Sequence, residues 1–184
     1  MSMRIAFLLL IVCISVPARA QLERVLPTVS FSAVAVRQVG AMEVKQRIHY
    51  SDGRLRIDGA DGFATTILDL RTESQLLLMA NHTYIVLPLD DELYRRFFPF
   101  RYAKRLKPDA VAGRTATKYV FDHDGALDAG GYYWLTPDGI MLRCTYVTGV
   151  YGMEHRHSDS LTDVKIGSVP ASLFTVPPGY RQVR

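Results

Sequence analysis

The stretch Gly131-Tyr132-Tyr133-Trp134-Leu135-Thr136-Pro137-Asp138-Gly139-Ile140-Met141-Leu142-Arg143-Cys144 decides how the rest of the chain is read. Its middle is a turn: Pro137 presets φ at the second turn position and Gly139 closes a type I turn. Its arms are aromatic and aliphatic β-formers, so the whole predicts a hairpin. Alternation puts Tyr133 and Leu135 on one face and Tyr132 and Trp134 on the other. In the second arm Ile140, Leu142, Cys144 and Tyr146 fall on one face, and Met141, Arg143 and Thr145 on the other. One face is core. The other, carrying Trp134, Tyr132 and Met141, is also mostly apolar, and full burial of each such side chain is worth ~1.5–3 kcal/mol. A helix, a second layer of sheet, or a bound lipid or acyl chain would cover it.

The flanking sequence predicts more hairpins. In Met42–Tyr50, Met42, Val44, Ile48 and Tyr50 share one face, and Glu43, Lys45, Arg47 and His49 the other. Ser51-Asp52-Gly53 turns the chain, since Asp-Gly tolerates positive φ, and Arg54–Asp58 alternates again. Thr66–Leu70, Gln75–Met79 and Tyr84–Leu87 read as strands, with turns at Arg71–Ser74 and Ala80–His82. Later strands are Thr115–Asp122, Tyr132–Leu135, Ile140–Val150 and Met153–Ile166. Strands this close together predict an antiparallel meander, not β-α-β units. One interior helix is expected over Asp90–Lys107, with acids at its start and Pro99 kinking or splitting it. A second, short one is expected over Gln21–Leu26, ended by Pro27.

The 184 residues suggest one domain behind a leader. Arg4, the apolar run Ile5–Val16 and Ala18-Arg19-Ala20 read as a secretory signal peptide over 1–20, cleaved after Ala20. The run is too short for the ~20 residues that span a bilayer. The domain is then 21–184. Losing Arg4 and Arg19 takes the formal charge from +4 to +2, which gives no basis for binding nucleic acid. The mature chain keeps one cysteine, Cys144, so no internal disulfide is available and the core must hold the fold alone.

Motifs for chemistry are few. Asp122–Asp128 hints at a calcium loop, but Ala126 and Tyr133 stand where an EF-hand needs ligands. His155 and His157 share a strand face, and Asp159 follows, without a fixed metal-ligand spacing. Cys144 reads as a small buried hydrophobe. No nucleophile elbow, P-loop or dinucleotide fingerprint occurs. The chain is therefore expected not to be an enzyme, and no metal or cofactor is implied.

Three runs in the carboxyl half, in order, resemble a known family. Gly113–Val120 resembles a G-x-x-T-x-K-Y-x-V strand. Trp134–Arg143 resembles a W-L-(T/D)-x-D-G-(I/V)-P-x-R hairpin, with Met141 where proline is usual. Pro170–Tyr180 resembles an A-S-L-F-x-V-P-x-G-Y tail. The chain is similar to the LolA/LolB-like superfamily of bacterial periplasmic proteins, and within it to a family of small secreted proteins. The resemblance implies a mainly β (α+β) fold: a curved antiparallel sheet forming an incomplete barrel, with one or two helices plugging the open side. In relatives the cavity accepts lipoprotein acyl chains or other lipids.

The expected function is a periplasmic carrier that sequesters a lipid or acyl chain. Its cavity is expected to be lined by Trp134, Tyr132, Met141, Leu77, Met79, Ile85 and Leu87. A lid from Asp90–Lys107 would face the membrane through Tyr94, Arg95, Arg96, Phe97, Phe98, Phe100 and Arg101, since cations among aromatics suit anionic headgroups. Expected partners are a lipid or lipidated protein and, transiently, an anionic membrane surface. The alternative is a non-catalytic interaction module that docks a periplasmic partner protein through the sheet or an edge strand.

Overall fold

The computed structural model describes residues 25–60, 62–90, 93–94, 96–99, 103–121, 130–150 and 153–183. The expected leader and the Asp122–Asp128 loop lie outside these residues, as do residues 21–24 of the expected first helix. Val25 and Leu26 carry no regular structure.

Among the described residues, twelve strands make one sheet. They are β1 (Phe31–Val39), β2 (Met42–Ser51), β3 (Arg54–Asp58), β4 (Ala64–Asp69), β5 (Ser74–Met79) and β6 (Thr83–Pro88), then β7 (Lys104–Val111), β8 (Arg114–Phe121), β9 (Gly131–Leu135), β10 (Met141–Val150), β11 (Met153–Ile166) and β12 (Arg181–Gln182). Their order is β12-β6-β5-β4-β3-β2-β1-β11-β10-β9-β8-β7. Two meanders, β1–β6 and β7–β11, are thus joined where β1 pairs with β11. The expected antiparallel sheet needs one correction, because β12 lies parallel on β6. The sheet does not close: β12 and β7 are its edges.

The sheet bends at the β9–β10 turn. Arg114, at the start of β8, donates through Nη2 to the Val164 carbonyl on β11. Those strands are three places apart in the sheet order, about 14 Å in a flat sheet. An arginine cannot reach that far, so the strands must converge beyond the hairpin.

The helical plug is not present among the described residues. Asp90 Oδ1 caps a single helical turn at Leu93–Tyr94 by accepting from the Leu93 amide at 3.0 Å. Pro99 follows, and with no amide hydrogen it cannot extend the turn. Lys104 onward is β7, paired with β8 through Lys104↔Val120 and Arg105↔Tyr119. The last four residues of the expected Asp90–Lys107 helix, Lys104–Lys107, are therefore strand.

The β9–β10 register also departs from strict alternation. Met141 faces Leu135 and Arg143 faces Trp134, so Leu142 is the extra residue of a bulge. A bulge shifts side chains across the faces. Met141 therefore joins Cys144, Tyr146 and Tyr133 in one buried cluster, while Leu142 and Ile140 join the main core.

That main core lies on the face of β1–β4 that carries Phe31, Ala33, Ile48, Tyr50, Leu55 and Leu68, here called the inner face. Tyr94 and Phe98 of the 89–99 segment cover it, with Phe98 5.8 Å from the Tyr50 ring. The outer face of β4–β6 is covered from the other side. Ile67 and Leu78 pack with Phe174, which sits on a 3-10 turn at Ala171–Phe174, and with Val176 and Tyr180 beyond it. The outer face of β4 and β5 is thus covered by the chain's own carboxyl-terminal segment, while Val86 on β6 is 46% exposed.

Candidate ligand-binding face

The β5–β6 hairpin is covered more deeply on its outer side, where Leu78 is buried under Phe174, although Val86 on that side is 46% exposed. Leu77 pairs with Ile85, Gln75 with Leu87 and Met79 with Thr83, so Leu77, Met79, Ile85 and Leu87 share the inner face. Leu77, Met79 and Ile85 are half-buried, and Leu87 is 37% exposed. Phe63, just before β4, is 69% exposed at the Met79 end. A half-exposed sheet normally turns polar residues to water. Here the open side is apolar.

The other three residues expected in the same cavity lie elsewhere. Trp134 is 8% exposed, belongs to the main core, and donates Nε1–H to Asp109 Oδ2 on β7 at 2.8 Å. That bond, the largest cause, holds the Asp109 carboxyl below the usual range. Tyr132 is 41% exposed, with the Lys118 ammonium 3.9 Å over its ring. Met141 is buried on the side opposite Trp134. The seven residues thus occupy three places, and only the β5–β6 four form a strip.

The expected lid residues are also divided. Tyr94 and Phe98 are buried in the core, and Phe97 packs partly against it. Arg96 Nη2 lies 3.4 Å from Asp159 Oδ1. Arg95, Phe100 and Arg101 lie outside the described residues.

Arg96 belongs to a polar centre that sequence reasoning did not find. Cross-strand pairing lines up Tyr133, Cys144, Asp159, Arg37 and Val44 across five strands on the inner face. Asp159 is buried, and burial raises its pKa against the pull of Arg96 and Arg37. Burial holds the Cys144 thiol at about 12 and pushes Tyr146 up, so both are neutral. Neither is poised as a nucleophile. Nε of Arg37, Nε of Arg96 and Oδ2 of Asp159 are buried without a hydrogen-bond partner. Beside Arg96 and Asp159 is a cavity of about 10 Å³, lined among others by Phe97, Met141 and Cys144 but not by Arg37. It has room for roughly one water. The sequence did hold a signal for the centre. Phe31, Ala33 and Ala35 point inward, and continuing that alternation makes Arg37 an inward-facing charge.

Among the described residues, no group of three or more His, Cys, Asp and Glu is placed to hold a metal ion. The His155 side chain lies outside what the structure describes, and His157 stacks on Tyr146 at 4.8 Å.

No family model and no curated protein matches this chain. Solved structures do. An uncharacterized conserved protein from Thermus thermophilus superposes with a TM-score of 0.58 at 14% identity, covering 85% of this chain and 90% of that one. The Pseudomonas aeruginosa MucA/MucB complex matches with a TM-score of 0.45 at 16% identity, over 80% of this chain and 56% of that one. A LolA superfamily protein from Nitrosomonas europaea matches with a TM-score of 0.37 at 8% identity, over 82% and 91%. At such identities the likeness extends to the fold alone.

Proposed function

We propose that the protein is a non-catalytic periplasmic binding module that takes an apolar ligand along the inner face of its sheet. The observation that carries this reading is the unequal cover of the β5–β6 hairpin. Its outer side packs under Phe174 and Tyr180 at the buried Leu78, with Val86 exposed at the far end, while its inner side leaves all four of Leu77, Met79, Ile85 and Leu87 half-open. An extended acyl chain, from a lipid or a lipidated protein, fits a strip of this kind. Each methylene it buries contributes ~0.8 kcal/mol. The cavity beside Asp159 is too small for such a chain, so the ligand lies on the face rather than inside the fold. The periplasmic setting rests on the export leader read at 1–20.

A partner protein docking by strand addition has less support at the β7 edge. That edge carries Lys104, Arg105, Lys107 and Pro108, with a register break between Arg105 and Pro108. Charges, proline and irregular pairing are devices that block edge-to-edge pairing.

The test is native mass spectrometry of protein purified gently from exporting cells. The wild type is expected to carry a lipid mass that Leu77→Lys with Ile85→Lys removes while the fold survives. A bare wild-type mass, together with no uptake of added alkyl ligands, refutes the proposal.

A further inference from the structure

We infer that β12 is a displaceable guard on the edge of β6, and that an extended, uncharged segment of a partner protein takes its place. The inference does not rest on the ligand reading above, since it uses backbone groups at the edge rather than side chains on the face.

The contrast between the two edges of the sheet is the first argument. β7 carries Lys104, Arg105, Lys107 and Pro108 and a register break, which defend a strand against pairing. β6 reads Thr83-Tyr84-Ile85-Val86-Leu87-Pro88, with no charge and no break in its pairing to β5. Val86 and Leu87, on opposite faces, are 46% and 37% exposed. Such an edge invites another strand, and β12 is what occupies it.

The light hold on β12 is the second. It pairs only with Thr83 and Tyr84, and in parallel, the slightly less stable arrangement per residue. The packing of the tail ends at Tyr180, and Arg181, Gln182 and Val183 beyond it are all exposed. Phe174, the buried anchor, lies before the turn at Pro178-Gly179, where Gly179 takes φ 87°. β12 can therefore lift while Phe174 stays in place.

Strand geometry is the third. The Arg181 amide donates to the His82 carbonyl at 3.0 Å, and the Val183 amide to the Tyr84 carbonyl at 2.9 Å. Alternation turns the amide and carbonyl of Val86 and the carbonyl of Pro88 to the same edge. The Leu89 amide turns the other way, to the Glu73 carbonyl. A longer strand running in the direction of β12 would follow β6 as far as Pro88, which has no amide hydrogen to give. The partner segment is thus as long as β6, with β-branched or aromatic residues where it meets Val86 and Leu87.

Fluorescence anisotropy on the full chain tests the inference, with a labelled peptide of alternating valine and threonine matching the six residues of β6. In Tyr84→Cys with Gln182→Cys, the two positions are register neighbours, about 4.8 Å apart and within reach of a disulfide. Oxidation should abolish peptide binding and reduction restore it; Cys144 is buried and stays out of the exchange. In Arg181→Pro with Val183→Pro, the two amides that hold β12 are gone. This variant should bind the peptide at least about tenfold tighter than the wild type, the scale of two backbone hydrogen bonds. The same peptide with every amide N-methylated should not bind. Equal binding by the oxidised and reduced cysteine variant overturns the guard. Binding of the N-methylated peptide overturns edge pairing in favour of contact with the apolar strip. Dimerisation of the proline variant without peptide overturns the partner protein in favour of a second copy of this chain. No binding by either variant overturns the β6 edge as a docking site.

Discussion

Gly131 opens β9 where neighbouring strands leave no room for a side chain. A Cβ there would meet the Thr145 carbonyl oxygen and the Phe121 ring. The carbonyl belongs to the backbone and cannot swing aside, so Gly131→Ala is expected to lose about 1–3 kcal/mol, read from urea melts. Leu142, fully buried at the β10 bulge, should cost ~2–5 kcal/mol as Leu142→Ala. His49 offers a pH test. Its Nδ1 lies 2.8 Å from Ser32 Oγ and its Nε2 3.9 Å from Asp58. Burial lowers its pKa from 6.5, outweighing Asp58. The unfolded chain then takes up the proton first, so stability present above about pH 6.5 is lost as the pH falls below it. Thermal melts from pH 7.5 to 5 should show the loss, and His49→Gln should flatten it. At this scale the sequence is legible where alternation runs unbroken. Tyr133 and Leu135 do oppose Tyr132 and Trp134. Met141 departs from the expected face because one bulged residue moves it across the sheet, and no periodicity marks where a bulge falls.

Strands are easier to read than the segments that cover them. Asp-Gly at 52–53 and the TPDG turn carry local chemistry that fixes a hairpin, and Gly53 and Gly139 do adopt positive φ. β7 is hidden in the sequence because Lys104–Lys107 continues a run of cations and aromatics that also fits a helix. Only its pairing with β8 decides the matter, and pairing is a tertiary fact. The carboxyl-terminal tail carries a recognisable motif whose role no local pattern reveals. Arg56 Nη1 donates to the Leu173 carbonyl at 3.0 Å, the Arg54 guanidinium lies 5.1 Å from the Phe174 ring, and β12 extends the sheet at β6. The tail is a cover for Ile67 and Leu78. Phe174→Ala should therefore cost ~3–5 kcal/mol, measured by chemical denaturation. Should it prove near-neutral, the tail is not what keeps that face dry.

Across the whole molecule, one sheet is covered on alternating sides by its own chain, and the inner face of β5–β6 is left over. The polar centre is legible only at this scale. Its three residues come from β1, β11 and the 89–99 segment, and no short motif joins them. A ligand that engages the strip stabilises the fold by mass action. At one hundred times its dissociation constant it adds ~2.7 kcal/mol. For a chain of this length that raises Tm by roughly 5–10 °C. Scanning fluorimetry with dodecyl phosphate should show this shift in the wild type. Leu77→Lys with Ile85→Lys should abolish it, because the chain loses its apolar strip. An undiminished shift in the double lysine variant would mean that the alkyl chain lies elsewhere and that the exposed β5–β6 face has no part in binding.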